Sequence, residues 1–484
     1  MTRRVFVFVA LVIVMSLALS ATAQSSSSAG KIAPRVLSDT QNGKTAEALV
    51  VLNEQADLRP AYSLQTKEEK GTWVFNTLRE VANRTQGPIL RMLDSLGVQH
   101  QSFYIVNMIQ VTGNRGLMQQ LAARADVARI DANPLVHNAL PHADSPIEKG
   151  NHIETVEWNI ARVKAPDVWN LGYRGEGLVV AGADTGTQWD HPAMKNQYRG
   201  WDGQNVSFDY NWQDLVQHSP TPIDPHGHGT FTVSEMVGDD GLGNQIGVAP
   251  HAKWISCRNM DSGGNGMPAW YIGCFQFFIA PYPVNGDPNQ GDPTKAPHSI
   301  NNSWICPPSE GCAVDTLQAA VEAVRAAGIF PAMAAGNSGP GCSSVDTPPA
   351  IYQAVISVGA TDSNDNIAGF SSRGPVLADN SHRIKPNLSA PGAGIRGAVP
   401  GNGYQSGWSG TSMATPHVAA SVALLWQAKP SLKGDIDTTQ RLLQQNTNVG
   451  HYVSIVSCGI TPGNRPNNVF GWGVLNILQA VQAP

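Results

Sequence analysis

The stretch 407–426 constrains the fold of this 484-residue chain more than any other. It begins as a polar turn of Gly, Ser and Thr and continues as a run of small and apolar residues over 418–425. A helix that is apolar on every side reserves no face for water, so this pattern predicts a buried helix. Ser412 lies where the turn enters the helix, near the positive end of the helix dipole. Pro416 is compatible with a first turn, where its missing N–H is not needed. Ser412 is therefore a candidate nucleophile, provided that residues from distant parts of the chain can activate it.

Composition indicates a folded protein with a substantial core. Hydrophobic residues make up 42% of the chain and charged residues 14%, and the length allows two or three domains. The formal net charge is -5, and no cluster of Lys and Arg marks a nucleic-acid surface. We therefore expect no nucleic-acid partner.

Residues 1–23 have the pattern of a secretory signal peptide. A basic start at Arg3 and Arg4 precedes an apolar run, and small residues end the segment at Ala23. The alternative, an uncleaved anchor, is less favoured because the apolar run is short for a membrane span. The pattern predicts a secreted protein, extracellular or periplasmic, without a stable membrane anchor. Residues 24–44 are Ser-rich at first, and we interpret them as a flexible leader.

Export changes how the cysteines are interpreted. Their number is even, and an oxidising compartment makes disulfides the expected state. Sequence does not choose among the pairings, although Cys306 and Cys312 are close enough to close a short loop. A zinc site is less favoured because no C-x-x-C pair occurs. The cysteines are Cys257, Cys274, Cys306, Cys312, Cys342 and Cys458.

Residues 45–135 have the pattern of a small α+β domain. Apolar and β-branched runs alternate with helical spacing in the order β-α-β-β-α-β, which is a ferredoxin-like arrangement. The first helical pattern is interrupted at Gly87-Pro88, and Asn114 is the predicted cap of the second helix. Residues 136–155 carry Pro, His, Asn and Gly with little apolar patterning, which indicates a linker and processing region.

Residues 156–484 have the pattern of a doubly wound α/β domain. Short Val-, Ile- and Ala-rich runs separated by helices predict a mostly parallel sheet with helices on both faces. Functional residues in such sheets lie at the carboxyl ends of the strands. The predicted strands are 177–183, 254–257, 298–303, 329–334 and 354–358, and the clearest helices are 316–327 and 411–426.

Four polar residues follow these runs or enter helices, in the order Asp184, His228, Asn337 and Ser412. A serine hydroxyl becomes a nucleophile when a base takes its proton, and histidine titrates in the required range. A carboxylate can hold that imidazole in the right tautomer. The Asn337 amide and the Ser412 N–H could bind the oxyanion that develops on a substrate.

These residues lie in four blocks that resemble the signature blocks of the subtilisin-like serine proteases. The chain order Asp, His, Ser is also that of the family. The resemblance covers the chain from about Trp158 onward and implies a subtilisin-like peptidase domain over 156–484. It further implies that 45–135 are an inhibitor-type propeptide domain. The blocks are Asp184-Thr-Gly, Gly227-His-Gly-Thr230, Ala335-Gly-Asn-Ser-Gly339 and Gly410-Thr-Ser-Met-Ala-Thr-Pro-His417.

The resemblance assigns roles residue by residue. Asp184, His228 and Ser412 would be the catalytic triad, with Asn337 and Ser412 forming the oxyanion hole. Local matches suggest substrate-binding positions, namely Ser303, Trp304, Ile305, Gly263, Gly264 and Gly336. Trp304 and Ile305 would favour apolar or aromatic residues before the cut. No cofactor is required; calcium is frequent in the family, but the sequence shows no ligand set that we would name, and we assign no metal ligand.

One position departs from the family pattern. The family commonly has a second histidine three residues after the catalytic one, and this chain has Phe231. That histidine is not a triad member, so we expect altered packing with catalysis retained.

Other interpretations compete with each motif. Asp184 and Asp261 resemble the paired blocks of aspartic proteases, but their flanks are unrelated. His226 and His228 could be a metal pair, although no H-E-x-x-H accompanies them. Taken singly, Ser412 could be a helix cap and Asn337 a turn residue, and His417 is more typical of a packed helix residue.

The sequence as a whole predicts a secreted serine endopeptidase that works through an acyl-enzyme and is made as an autoprocessed zymogen. Its partners would be polypeptide substrates and its own propeptide as an intramolecular inhibitor, and we expect a monomer. The alternative is a non-catalytic peptide-binding module on the same fold.

Overall fold

The computed structural model describes residues 30–149, 156–307, 312–449, 458–459 and 464–484. The predicted signal peptide lies outside the described residues. The chain divides into two compact units: residues up to 56 together with 80–133 form the first, and residues 57–79 together with 134–484 form the second. The helix Lys67–Ser95 contributes to both.

The first unit contains a four-stranded antiparallel sheet in the order β2-β3-β1-β4. Its core joins apolar residues of the sheet, such as Val50 and Ile109, to Leu93 and Met118 of the helices. The predicted order β-α-β-β-α-β is present, and Asn114 Oδ1 accepts from Leu117 N at 3.1 Å, which confirms the predicted cap. The strands are β1 (Thr45–Leu52), β2 (His100–Phe103), β3 (Met108–Asn114) and β4 (Val127–Ala132), and Arg115–Ala122 is the second helix.

Two features of this unit differ from the sequence prediction. The helix Lys67–Ser95 continues through Pro88, so the predicted interruption was wrong. A proline inside a helix costs about 3 kcal/mol, but Ile89 and Leu93 beyond it are fully buried, and each such side chain stabilises by about 1.5–3 kcal/mol. In the predicted flexible leader, Pro34–Asp39 is a helix, because Val36 is buried in the core.

The second unit is built on a seven-stranded sheet in the order β13-β12-β11-β10-β6-β8-β7, and its neighbouring strands are parallel. The residues of β10 to β13 are buried without alternation, which requires cover on both faces. The predicted doubly wound architecture is therefore confirmed. The strands are β6 (Val179–Asp184), β7 (Trp212–Asp214), β8 (Lys253–Arg258), β10 (Ser299–Asn302), β11 (Phe330–Ala334), β12 (Ile356–Thr361) and β13 (Leu388–Pro391).

The helix Thr411–Ala428, called the Ser412 helix, is the buried helix that the sequence predicted. Its residues from Thr411 to Trp426 are buried, and it packs on β10 to β13 and on the helix His228–Val237, called the His228 helix. The remaining helices are Trp158–Arg162, Ala165–Asn170, Pro268–Ile279, Gln318–Ala326, Ile436–Gln445 and Ile477–Gln482.

Two short sheets flank the large one. Strands β14 (Ile395–Val399) and β15 (Gly403–Trp408) form an antiparallel pair that precedes the Ser412 helix. Strand β5 (Val136–His137) pairs antiparallel with β9 (Asn265–Gly266). The first residues of the predicted linker are therefore part of a sheet.

Three disulfides link the cysteines, and they include the predicted Cys306–Cys312 pair. Cys257–Cys274 joins β8 to the helix Pro268–Ile279, and Cys342–Cys458 joins the loop after β11 to the C-terminal region. Within the described ranges, we find no helix with both the length and the apolar character needed to cross a bilayer.

Candidate active site

Asp184 and His228 meet at the carboxyl end of β6. Asp184 is the last residue of that strand, and His228 is the first residue of its helix. His228 Nδ1 lies 2.7 Å from Asp184 Oδ1, and both side chains are buried. Gly229 permits this approach, because a Cβ there would lie 2.0 Å from Gly186 O and 3.0 Å from Asp184 Cβ.

The Asp184 carboxylate is held by further donors. Thr185 N donates to Oδ1 at 2.8 Å, and Thr232 Oγ1 donates to Oδ2 at 3.3 Å. A carboxylate accepts only, so His228 donates through Nδ1 and presents Nε2 as an acceptor. Among the described residues, His228 Nε2 has no hydrogen-bond partner. The imidazole is therefore oriented by Asp184 with its other nitrogen available.

Asp224 fixes the entry to the His228 helix. Its carboxylate accepts from Gly227 N at 2.8 Å and from Thr230 N and Oγ1 at 2.8 and 2.6 Å. These bonds satisfy N–H groups that a helix N-terminus leaves without acceptors. The sequence interpretation gave Asp224 no role, because it precedes the N-cap residue Gly227 by three positions and a capping side chain is expected at the N-cap itself.

Ser412 lies in the first turn of its helix and is almost fully buried. Its Oγ donates to Ser303 O at 3.2 Å, and Ser303 Oγ donates to Ser412 O at 2.9 Å. Pro416 follows four residues later, beyond the first turn where the sequence interpretation put it. Since Pro416 has no N–H to donate to Ser412 O, the Ser303 hydroxyl takes the place of the missing helical bond.

Asn337 lies in the loop after β11 and faces the start of the Ser412 helix. Its Oδ1 accepts from Thr411 N and from Thr411 Oγ1, both at 2.8 Å. These donors fix which end of the amide is the carbonyl, so the NH2 group points the other way. Gly336 takes φ +104°, a left-handed conformation that favours glycine, and its N–H donates to Thr411 Oγ1 at 3.2 Å.

A pocket of about 130 Å³ lies beside Ser412. Four of the six predicted substrate-binding residues line it, namely Ser303, Trp304, Ile305 and Gly336, together with Asn337. Gly264 lies just outside the lining and contacts the chain that runs along the pocket, since its carbonyl accepts from Asn138 N at 3.2 Å. Gly263 instead shapes its own loop, because its N–H donates to Asp261 Oδ1 at 2.8 Å.

The Trp304 indole packs into the protein core. Its ring stacks on Tyr271 at 3.9 Å between centroids, and Nε1 donates to Ala183 O at 3.0 Å. Trp304 therefore presents little of its ring to a substrate.

Residues 136–141, called the cleft segment, run along this pocket. Val136 and His137 pair with β9 as an added strand, and Asn138, Ala139 and Leu140 line the pocket. The segment continues past the start of the Ser412 helix, since a Cβ on Gly410 would lie 2.5 Å from Pro141 Cγ. Composition alone did not reveal that this part of the linker crosses the site.

Phe231 is packed in an apolar cluster behind His228. It stacks on Trp408 at 4.5 Å between centroids, and the Trp408 ring lies 6.2 Å from that of His228. Ile395, Val399 and Met413 complete the cluster. The departure from the family pattern is thus accommodated by aromatic stacking.

We expect Phe231→Ala to lower the free energy of unfolding by about 3–5 kcal/mol, because it opens a cavity in this cluster. Phe231→Leu is the matched control and should cost less than Phe231→Ala, because leucine fills more of the cavity although it loses the stack on Trp408. Denaturant unfolding of protein inhibited against self-digestion measures both values. Equal stability of Phe231→Ala and wild type would contradict the packing role.

The structure also bears on the aspartic-protease and metal-site interpretations of single residues. The Asp261 carboxylate accepts from Gly263 N and Asn265 N, so Asp184 and Asp261 have separate partners rather than a shared proton. Burial lowers the pKa of His226, with the neighbouring charge of His228 adding to the effect. In the described part of the chain, no group of three or more His, Cys, Asp or Glu side chains is arranged to hold a metal ion.

His417 is a packed helix residue. Its Nδ1 donates to Met413 O at 2.9 Å, and its Nε2 accepts from Asn159 Nδ2 at 2.8 Å, so the ring is held neutral. Burial lowers the pKa of His417 to about 4.

The lowered pKa of His417 predicts that the folded protein loses stability in acid. The unfolded chain protonates His417 near pH 6.5 and the folded protein only near pH 4, so the stability contributed by the neutral ring is lost as the pH falls between these values. Relative to His417→Gln, the unfolding free energy of the wild type should fall by about 3 kcal/mol from pH 7 to pH 4. Unfolding curves that keep the same separation at every pH would contradict this.

The fold and the site together define one class of protein. A doubly wound parallel sheet carries Asp at a strand end, His at a helix entry and Ser at the entry of a buried helix. Residues 175–473 match the sequence model of the subtilase family. The chain belongs to the subtilase family.

Individual relatives agree with this assignment. Bacillopeptidase F of Bacillus subtilis (strain 168) is 36% identical over 457 residues, which cover 91% of this chain but 30% of that protein. Alkaline elastase YaB of Bacillus sp. (strain YaB) is 33% identical over 299 residues, covering 62% of this chain and 67% of that protein. Subtilisin E of Bacillus subtilis (strain 168) is 27% identical over 340 residues, covering 69% and 74% respectively. The chain thus spans less than a third of the length of bacillopeptidase F.

Proposed function

We propose that this protein is a serine endopeptidase that hydrolyses polypeptides through Asp184, His228 and Ser412. The observation that carries the proposal is the buried 2.7 Å contact between His228 Nδ1 and Asp184 Oδ1. It orients an imidazole in the tautomer that a general base needs, on a helix packed against the one that carries Ser412. Membership of the subtilase family supports the same chemistry.

The roles proposed for these residues give the following reaction. Ser412 Oγ exchanges its bond to Ser303 O for one to His228 Nε2, gives its proton to that nitrogen and attacks the scissile carbonyl. The carbonyl oxygen becomes an oxyanion, which the Asn337 amide and the Ser412 N–H stabilise. His228 then protonates the leaving amine, and an acyl-enzyme on Ser412 remains. Water, deprotonated by His228, attacks the ester; as the acid leaves, His228 returns that proton to Ser412 Oγ, so the enzyme is regenerated and the mechanism needs no cofactor.

Asn337 offers a sharp test of the oxyanion role. Asn337→Asp keeps an oxygen to accept from Thr411 but replaces the NH2 donor with a negatively charged group, so kcat should fall by about 10²- to 10³-fold or more. Asn337→Leu should show a similar loss of kcat with KM little changed. Steady-state kinetics on a peptide substrate measures both variants. An Asn337→Asp variant with wild-type kcat would exclude the amide as an oxyanion donor.

We further propose that the protein is secreted as a zymogen. The pattern of residues 1–23 supports export, and the first unit together with the cleft segment would serve as an intramolecular inhibitor until the chain is cut. The pairing of β5 with β9 supports this, since the cleft segment runs along the pocket beside Ser412. N-terminal sequencing of protein recovered outside the cytoplasm tests the proposal: a mature chain that still begins near residue 24 would contradict it.

The alternative, a peptide-binding module without turnover, shares the pocket and the added strand. Unlike the proposed peptidase, such a module needs no nucleophile. Hydrolysis of an unfolded polypeptide by the wild type, and its loss in Asn337→Asp, distinguishes the two.

A further inference from the structure

Asn138 of the cleft segment has a hydrogen-bond partner at each end of its side-chain amide. It is 4% exposed, and its backbone N–H donates to Gly264 O at 3.2 Å. Its side-chain Oδ1 accepts from Ile305 N at 3.0 Å, and Nδ2 donates to Tyr271 Oη at 3.0 Å. Both ends of the carboxamide therefore have a partner among residues 156–484.

One of the two partners fixes the orientation of the Asn138 amide. A backbone N–H can only donate, so Ile305 fixes the carbonyl end of the amide, and the NH2 end faces the Tyr271 hydroxyl. A leucine in place of Asn138 would leave the Ile305 N–H and the Tyr271 hydroxyl without these bonds. An aspartate would bring a charge into a buried place where neither partner is a cation. A longer glutamine would not put its amide at the same distances.

Tyr271 is held in place by contacts that do not involve Asn138. Tyr271 is fully buried and stacks on Trp304 at 3.9 Å with 8° between the ring planes. Trp304 in turn is tied to the end of β6 through Nε1 and Ala183 O. Gly266 leaves the space that the Tyr271 hydroxyl fills, because a Cβ there would lie 2.2 Å from it. The Tyr271 hydroxyl is thus held by contacts that do not involve Asn138.

The direction of the chain places Asn138 relative to the cut. The cleft segment passes Asn138 first and reaches Pro141 at Gly410, beside Ser412, three residues later. A substrate lying along the same path would put the matching residue on the N-terminal side of the bond that Ser412 attacks. Added-strand binding holds a peptide by its backbone, and side-chain pockets then supply the selection.

We propose that Gly264, Tyr271 and Ile305 form a subsite that selects an asparagine side chain upstream of the cleaved bond in polypeptide substrates, and that Asn138 occupies it in the uncut chain. The proposal rests on the proposed function and adds a substrate preference to it. The preference is for a polar amide, which the expectation of apolar or aromatic residues before the cut did not include.

The test uses mature protein and internally quenched peptides that carry residues 134–149 of this chain. Replacing the asparagine in the peptide by leucine (Asn138→Leu) should lower kcat/KM by roughly ten- to a hundredfold, because a site built for hydrogen bonds rejects groups that leave them unmade. Asn138→Asp should also lower kcat/KM, because it buries a charge with no cation beside it. If a peptide is not cut, its inhibition constant is measured against hydrolysis of a protein substrate. The Asn peptide should then inhibit more strongly than the Leu and Asp peptides.

A protein variant isolates the selecting group. Tyr271→Phe removes the hydroxyl and keeps the stack on Trp304, so the preference for the Asn peptide over the Leu peptide should shrink by roughly tenfold. Tyr352→Phe is the matched control, because that buried hydroxyl also makes hydrogen bonds, to Val314 O and Leu317 N, outside the subsite. It should keep the wild-type preference.

The outcomes separate the two proposals. Equal kcat/KM or equal inhibition for the Asn and Leu peptides on the wild type would overturn the asparagine subsite while leaving the peptidase activity in place. Failure of the wild type to hydrolyse any polypeptide would contradict the proposed function instead. If Tyr271→Phe does not fold, the peptide series on the wild type decides alone.

Discussion

Ser412→Ala is expected to abolish hydrolysis, with kcat falling by about 10⁶-fold, and to leave the chain uncut. The variant removes the only atom that can form the acyl-enzyme, whereas binding and the oxyanion donors stay. If maturation is autocatalytic, the same loss prevents removal of the N-terminal unit. Gel analysis of the expressed chain and single-turnover kinetics on peptide substrates measure the two effects.

Ser421→Ala is the matched control for this experiment. Ser421 lies on the same helix, is fully buried and has an Oγ without a hydrogen-bond partner among the described residues. It should mature and hydrolyse substrate like the wild type. Normal maturation of Ser412→Ala would show that another protease cuts the chain. Turnover by Ser412→Ala at the wild-type rate would show that Ser412 is not the nucleophile.

Asp184→Asn is expected to lower kcat by about 10⁴-fold with little change in fold. The amide fills the same space, but it is neutral and cannot stabilise the imidazolium that forms when His228 takes a proton. Its NH2 group can also turn toward Nδ1, the nitrogen that Asp184 Oδ1 contacts in the wild type, and this would put the imidazole proton on Nε2. The loss should appear in kcat rather than KM, because Asp184 does not touch the substrate. Kinetics at a fixed pH near neutrality measures it.

Asp190→Asn provides the comparison for the charge change alone. Asp190 is exposed and bonds to Gln188, so its neutralisation should leave kcat near the wild-type value. An Asp184→Asn variant as active as Asp190→Asn would contradict the role given to the buried carboxylate.

Five strands of the second unit's sheet were predictable because they are buried on both faces, whereas β7 and β13 at its two edges were not predicted. The run 329–334 is apolar throughout, which is typical of a strand covered on both faces. The structure has β11 at Phe330–Ala334. The strand-end rule then brought Asp184 into the same region as His228, and the structure puts the two in contact.

Other features depend on tertiary contacts that composition does not record. Trp304 was grouped with Ile305 as substrate-facing, but its indole finds a stacking partner in Tyr271 and a carbonyl in Ala183, which are distant in sequence. The helix through Pro88 persists because its far end is buried in the first unit's core, and local propensity cannot weigh that burial.

The supporting residues of the site were also missed for a physical reason. Thr232 and Asp224 act through hydrogen bonds to Asp184 and to the start of the His228 helix, and such bonds require three-dimensional proximity rather than a sequence period. The cleft segment is a similar case, since its role comes from pairing with β9.

The most direct test of the central claim is covalent labelling of the mature protein by an organophosphonate that reacts with activated serines. We predict stoichiometric labelling, with mass spectrometry of the digested protein locating the phosphonyl group on Ser412, and loss of labelling in Asp184→Asn. A wild-type protein that stays unlabelled under conditions that label a control protease, or that is labelled at another serine, would contradict the account.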